Sequence, residues 1–352
     1  MIKFPCLIVF CCTLVGKMAD SDSKLEKYEN LFNSDSFKTS ARGKQICLFL
    51  GAGVAKNIGM PSWQELASLI ANCCLEKDIL KHSSIHILNS LNDPLKIISY
   101  CVSEMIERKK EKHLDSIIKK AFATIPQKKY RESTVYRDLV KLYESGKVLI
   151  VQTNYDNIIA QKCNLPTSQT YIPYKDDPKN IDNSMLVYLH GKIEEQPPLI
   201  NNLILTRSDY NRVYVNQNDT WYEKQQSFIK RLLYNYHIIF LGYSLQDNEI
   251  IQLIANKGIV ENHLGTSVIF DNCKAKEIEN DITASYLSEF SNNNLKLYYY
   301  DTEDFGIKKN FETVVNDLKN AILKDTTIPN MQKFKEGKGV IFERSNNYKR
   351  TM

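Results

Sequence analysis

Glycine and proline are scarce in this chain, 13 and 10 of 352 residues. That excludes a collagen-like repeat and leaves little room for low-complexity linkers. No apolar run reaches the roughly 20 residues a helix needs to span a bilayer. The one lipophilic stretch, Pro5 to Gly16 behind Lys3, is shorter. Neither charge sign dominates: 46 Lys and Arg face 41 Asp and Glu, a net charge of +5. A nucleic-acid binder would carry a concentrated basic face, and none is legible. Cysteine is present but unpatterned. Of the nine, Cys6, Cys11 and Cys12 lie in the first 17 residues, and no two of Cys47, Cys73, Cys74, Cys101, Cys163 and Cys273 are spaced Cys-x-x-Cys. In a chain this long they make no disulfide framework; they read as small buried hydrophobes in a reducing cytoplasm. What is there is ordinary: 43% hydrophobic and 25% charged residues, enough for one large core or two modest ones.

The first 17 residues admit three readings. Lys3 with the apolar stretch suits a secretory signal, but Val15-Gly16-Lys17 is a poor cleavage site. Met18-Ala19-Asp20 opens like an ordinary protein start, so we expect residues 1–17 to be an upstream mis-start. A short membrane-associating segment is the third option. Residues 18–43 are polar, with a helix expected over Leu25 to Phe32, and read as a loosely held lead-in. From Asp325 the chain is polar and basic, and reads as a mobile tail.

Between these ends, short apolar runs alternate with helical spacing. Gln45 to Leu50, Val148 to Val151, Met185 to Leu189, His237 to Leu241 and Ser267 to Phe270 read as buried strands, and Leu295 to Tyr300 as an edge strand. Helical patterns run through Trp63–Ile70, Phe228–Leu233, Ile250–Ile254 and Phe311–Leu323. The alternation predicts an α/β domain over 44–324 with a Rossmann-like, mostly parallel sheet. A simple strand-helix-strand crossover takes about 30 residues, yet Gly53 to Val148 shows only helical segments at 63–76, about 93–124 and 132–145. The surplus, about 62–146, reads as a helical insertion module.

In an open α/β sheet, ligands bind beyond the carboxyl ends of the strands. Four strands end in glycine or polar clusters: Gly51-Ala52-Gly53, Thr153-Asn154-Tyr155-Asp156, His190-Gly191, and Gly242-Tyr243-Ser244 with Asp247. Gly51-x-Gly53 suits a phosphate-binding turn, though it is equally a tight strand-to-helix turn, since the third glycine of a dinucleotide fingerprint is missing. His190 taken alone reads more readily as a satisfied structural residue than as a catalyst. Asn154 and Asp156 could cap a helix starting near Asn157. Their placement at consecutive strand ends favours a shared site.

Taken in order, Gly51-Ala52-Gly53-Val54 with Gly59-x-Pro61-x-Trp63, Thr153-Asn154-Tyr155-Asp156, His190-Gly191, Leu205-Thr206 with Asp209-Tyr210, and Gly242-Tyr243-Ser244-x-x-Asp247 resemble the sirtuin-like domain of bacterial defence proteins, over roughly 44–300. The resemblance implies a Rossmann-like fold with a helical module, NAD as substrate, and NAD hydrolysis that depletes the cell's NAD once phage infection is sensed. Ala55 stands where many relatives carry serine. Deacetylating sirtuins carry a four-cysteine zinc ribbon after the His-Gly, whereas this chain has no cysteine between Cys163 and Cys273. A structural zinc needs about four Cys or His ligands, so no zinc is expected and protein deacylation is disfavoured.

By the same resemblance, Asn154 orients water and ribose, Asp156 contacts the nicotinamide end, and His190, titrating near neutrality, takes a proton from the ribose hydroxyl or water. Gly51, Ala52 and Gly53 would hold the pyrophosphate, with Thr153 at the same rim. Gly242, Tyr243, Ser244 and Asp247 would hold the adenosine half, and Asp271 could reach its ribose or cap a loop. A homo-oligomer, or a separately encoded ATPase or sensor partner, is implied. The competing readings are an ADP-ribosyl or acyl transferase and a non-catalytic NAD or ADP-ribose sensor.

Overall fold

Val148, Leu149, Ile150 and Val151 are fully buried, as are Ile46, Cys47, Leu48 and Leu50. A strand apolar at every position buries both faces, which is the pattern of a parallel sheet covered by helices on each side. The computed structural model describes residues 25–81, 83–84, 88, 93–110, 112–123, 132–176, 181–193, 202–243, 250, 264–271, 295–300 and 310–324. The expectations for residues 1–17 and 325–352 fall outside these, as does the Ile250–Ile254 pattern apart from buried Ile250.

Eight strands form one sheet: β1 (Leu25–Lys27), β2 (Ile46–Leu50), β3 (Val148–Gln152), β4 (Thr170–Tyr171), β5 (Leu186–Tyr188), β6 (His237–Leu241), β7 (Thr266–Asp271) and β8 (Leu295–Tyr300). Their order is β1-β8-β7-β6-β2-β3-β5-β4, and every pair is parallel. The fold is α/β and Rossmann-like. β2 is the pivot. The chain leaves it toward β3 on one side and returns through β6 on the other, so the strand order reverses between the ends of β2 and β6.

Eleven helices accompany the sheet among the described residues: α1 (Tyr28–Asn33), α2 (Asp35–Arg42), α3 (Ala52–Lys56), α4 (Trp63–Glu76), α5 (Pro94–Glu107), α6 (Lys112–Ala123), α7 (Thr134–Glu144), α8 (Ile158–Lys162), α9 (Arg207–Tyr210), α10 (Thr220–Asn235) and α11 (Phe311–Lys324). Local signals set their ends. Ser62 and Glu65 cap α4 reciprocally, and Asp93 caps α5 with Pro94 at its first position, where a missing N–H costs nothing.

Two cores result. The larger surrounds the sheet and takes in α7, α10 and α11. The smaller joins α4, α5 and α6, through Leu66, Ile70, Ile98, Met105 and Ile118, and reaches the sheet's edge at Tyr155, Leu203 and Leu205. Thus the helical module proper is α4 to α6, while α7 covers the sheet.

Three expectations need correction. The segment from residue 25 is not loosely held: Tyr28, Leu31 and Phe37 are buried in the large core, and the Tyr28 hydroxyl donates to Asp317 Oδ2 at 2.8 Å. Its first residues form a strand, β1, which covers β8, so β8 is not the edge. The segment 93–124 is two helices, because Lys109 takes a left-handed backbone (φ 55°) and the Lys110 N–H turns back to the Met105 carbonyl at 2.7 Å.

Candidate active site

Parallel register places the carboxyl ends of β6, β2, β3 and β5 side by side, and hydrogen bonds stitch them together. The Gly51 N–H donates to Leu241 O at 2.9 Å, and the Thr153 N–H donates to Leu50 O at 3.1 Å. The Leu189 N–H donates to Gln152 O at 2.8 Å. The rim is therefore one continuous hydrogen-bonded edge carrying Gly51, Asn154, His190 and Gly242.

The glycines serve backbone contact between neighbouring turns. A Cβ on Gly51 would lie 2.5 Å from Gly242 O, and one on Gly53 would lie 2.8 Å from Gly242 Cα. The Gly53 N–H donates to Gly242 O at 2.8 Å. Gly242 itself, at φ 60°, packs against this turn from the end of another strand. Two amide groups of the turn are thus already engaged, and Ala52 is the residue it exposes to solvent. Ala55, on α3, is buried.

Asn154 is 9% exposed, and its Nδ2 donates to Gly51 O at 3.0 Å. The amide nitrogen is thereby committed to the neighbouring strand end, and its carboxamide oxygen is the remaining acceptor. Thr153 stays half-buried, with its hydroxyl against Leu50 O at 3.4 Å.

Asp156 is turned inward. The Ile158 N–H donates to Oδ1 at 3.2 Å and the Tyr136 hydroxyl donates to Oδ2 at 3.3 Å. Burial pushes its carboxyl up to about 6, which those hydrogen bonds only partly offset. Both its oxygens therefore have partners within the fold, one of them the first N–H of α8. The Tyr243 ring packs on Phe49 and Phe240 at 5.4 and 5.1 Å.

His190 is 4% exposed. Its Nε2 lies 3.0 Å from the Tyr214 hydroxyl, and the Tyr210 and Tyr214 rings stand edge-on to it at 5.4 and 6.0 Å. Burial pushes the imidazole down to about 3, so the expectation of a histidine titrating near neutrality fails. It is a neutral ring across the physiological range. Gly191 after it has φ 84°, and a Cβ there would meet Asn202 O at 1.5 Å; only glycine fits.

Ser244 and Asp247 lie outside the described residues, and Asp271 ends β7 beside β6 on the same rim. Tyr214 and Gln225 were missed from the sequence. Gln225 had a signal, since it stands on the apolar stripe of α10 three and four residues before Phe228 and Ile229. Tyr214 had none, because the π-helical turn Asn211–Val215 that carries it breaks the helical period. Among the described residues no three His, Cys, Asp or Glu side chains stand together as a metal site, and no helix is long and apolar enough to cross a membrane.

The fold and rim define a Rossmann-like α/β protein whose strand order reverses between β2 and β6. A family model described as SIR2-like domain matches residues 148–291, from β3 through β7, which supports a sirtuin-like family and NAD-related activity. The segment includes Asn154, His190, Asp209 and Gly242. No curated protein matches the chain.

Proposed function

We propose that the chain is an NAD glycohydrolase: NAD and water give ADP-ribose, nicotinamide and a proton. The observation that supports this best is Asn154, in the SIR2-like segment and one strand from His190, tied to Gly51 beside the point of strand reversal. Bond cleavage passes through an oxocarbenium-like state, as glycoside cleavage does. The departing pyridinium is already cationic, so no strong general acid is needed. A buried neutral histidine fits that requirement better than a charged one would.

In this reading Ala52 and the Gly51–Gly53 turn face the pyrophosphate. Gly242, Ser244, Asp247, Asp271 and the Tyr243 backbone serve the adenosine half. Asn154 accepts a hydrogen bond from the water or ribose through its carboxamide oxygen, beside Thr153, and His190 takes the proton released and passes it on to solvent, so that its resting state stays neutral. Asp156 serves the nicotinamide end by bracing the loop from inside, its Oδ1 accepting from the first N–H of α8. We place the reaction in the cytoplasm, as NAD depletion in anti-phage defence, carried out by a homo-oligomer or with a separately encoded ATPase or sensor.

Product analysis after incubating purified protein with NAD tests the reading. Free ADP-ribose in step with nicotinamide is the expected result. ADP-ribose attached to protein would make the chain a transferase, and binding without turnover would make it a sensor.

A further inference from the structure

Three polar side chains from separate elements meet in the interior behind the rim. Gln225, on α10, is fully buried, Tyr214 is 7% exposed and His190 4%. Gln225 Nε2 lies 2.9 Å from the Tyr214 oxygen and 3.3 Å from the Leu189 carbonyl. A carbonyl only accepts, so the nitrogen of the carboxamide is the atom that faces this way. It donates to Tyr214, whose oxygen is thereby held in place 3.0 Å from His190 Nε2. The Tyr210 and Tyr214 rings, tilted by 30° to each other, close on the imidazole edge-on and limit its rotation.

Such a chain does two things. It gives a polar partner to a ring nitrogen that burial would otherwise strand, and an unpartnered buried polar atom costs about 1–3 kcal/mol. It also makes the two ring nitrogens unequal. Which nitrogen carries the proton is set by the hydrogen bond the other one makes.

We propose that Tyr214, held by Gln225, is a positioning residue that grips His190 by Nε2 and fixes which ring nitrogen carries the proton, and so how the imidazole meets the reaction. The inference rests on the NAD-cleaving reading for the word reaction, but the lock itself does not. Tyr214 touches no reacting atom here; its effect passes through His190. The π-helical turn Asn211–Val215 carries Tyr214 to His190 while Val213 stays buried in the core.

The test is nitrogen NMR on histidine-labelled protein, with the His190 signals assigned by their loss in His190→Gln. In the wild type we expect one tautomer of His190, unchanged between about pH 5 and 8 because the ring stays neutral. In Tyr214→Phe we expect a mixture of tautomers, with kcat for NAD lower by roughly 10²-fold and KM within about threefold, the range of a displaced proton-transfer group. Gln225→Met keeps the hydroxyl but removes its donor, and a smaller shift in the same direction is expected. A tautomer mixture in the wild type overturns the lock without any variant having to fold. A Tyr214→Phe protein with wild-type tautomer ratio and kcat overturns it too. If the wild type does not turn over NAD, the spectra still decide the lock, and only the NAD reading fails.

Discussion

Asn154 Nδ2 and the Gly51 carbonyl oxygen, 103 residues apart in sequence, sit 3.0 Å apart across the ends of β3 and β2. The bond orients a carboxamide that would otherwise rotate freely. It also ties the asparagine to the turn that packs against Gly242, so the polar group and the glycine turn are held as one piece. Transition-state stabilisation works through groups fixed in advance of the charge they meet.

The neutral state of His190 predicts the shape of the pH profile. A histidine titrating near its usual value would switch kcat/KM on between about pH 6 and 7. With burial holding the ring at about 3, we expect no such limb, and kcat/KM for NAD should stay level from about pH 5.5 to 8. A steady-state series across that range checks it.

Stability should respond to Asp156 and His190 with opposite signs. Asp156 titrates in the fold at about 6, above its unfolded value of about 3.9, so the fold keeps this proton longer than the unfolded chain. Its ionisation therefore lowers stability as pH rises from about 4 to 6, by on the order of 2–3 kcal/mol. Asp156→Asn should flatten that slope and leave stability at pH 7.5 equal or higher. His190 is depressed, so its contribution is lost as pH falls from about 6.5 toward 3, and His190→Gln should reduce acid sensitivity there. Urea unfolding at several pH values reads both.

Much of this rim was legible in the sequence. Buried parallel strands are continuous apolar runs, and glycine or polar residues mark where they stop, so the ends of β2, β3, β5 and β6 could be placed. β1 could not. Leu25-Glu26-Lys27 is three residues long and two of them are charged, and it is a strand only because β8 offers it an edge. The direction of a side chain was equally hidden. Asp156 faces inward because Tyr136 on α7 and the start of α8 receive it, and His190 is neutral because Tyr210, Tyr214 and Gln225 fold over it. Tyr136, Tyr210, Tyr214 and Gln225 lie 20 to 35 residues from the side chain each shields, beyond any local pattern.

Two glycines with left-handed backbones make a matched pair. Gly191→Ala puts a Cβ 1.5 Å from Asn202 O, whereas Gly146→Ala, at φ 62°, meets nothing within 4 Å. The second should cost only the backbone penalty of about 1–2 kcal/mol. The first should cost that plus a backbone displacement, together above about 4 kcal/mol, and the protein should be recovered poorly or unfolded. Thermal melts of the two variants decide whether the His190 turn is as tightly built as the structure shows.

Chelation should leave the protein unchanged. With no cysteine between Cys163 and Cys273, a zinc ribbon after His190 lacks its ligands. We expect elemental analysis to find zinc well below one atom per chain, and a melting temperature unaltered by chelator. Stoichiometric zinc lost together with the fold would contradict this.

The most direct measurement follows nicotinamide and ADP-ribose release by the wild type and by Asn154→Ala, with NAD binding to both by calorimetry. The account predicts equal release of the two products by the wild type. For Asn154→Ala it predicts turnover lower by on the order of 10²–10³-fold, as for loss of one preorganised group, with NAD affinity changed by less than about tenfold. Wild-type turnover in the variant, or a wild type that binds NAD and leaves it intact, would contradict the account.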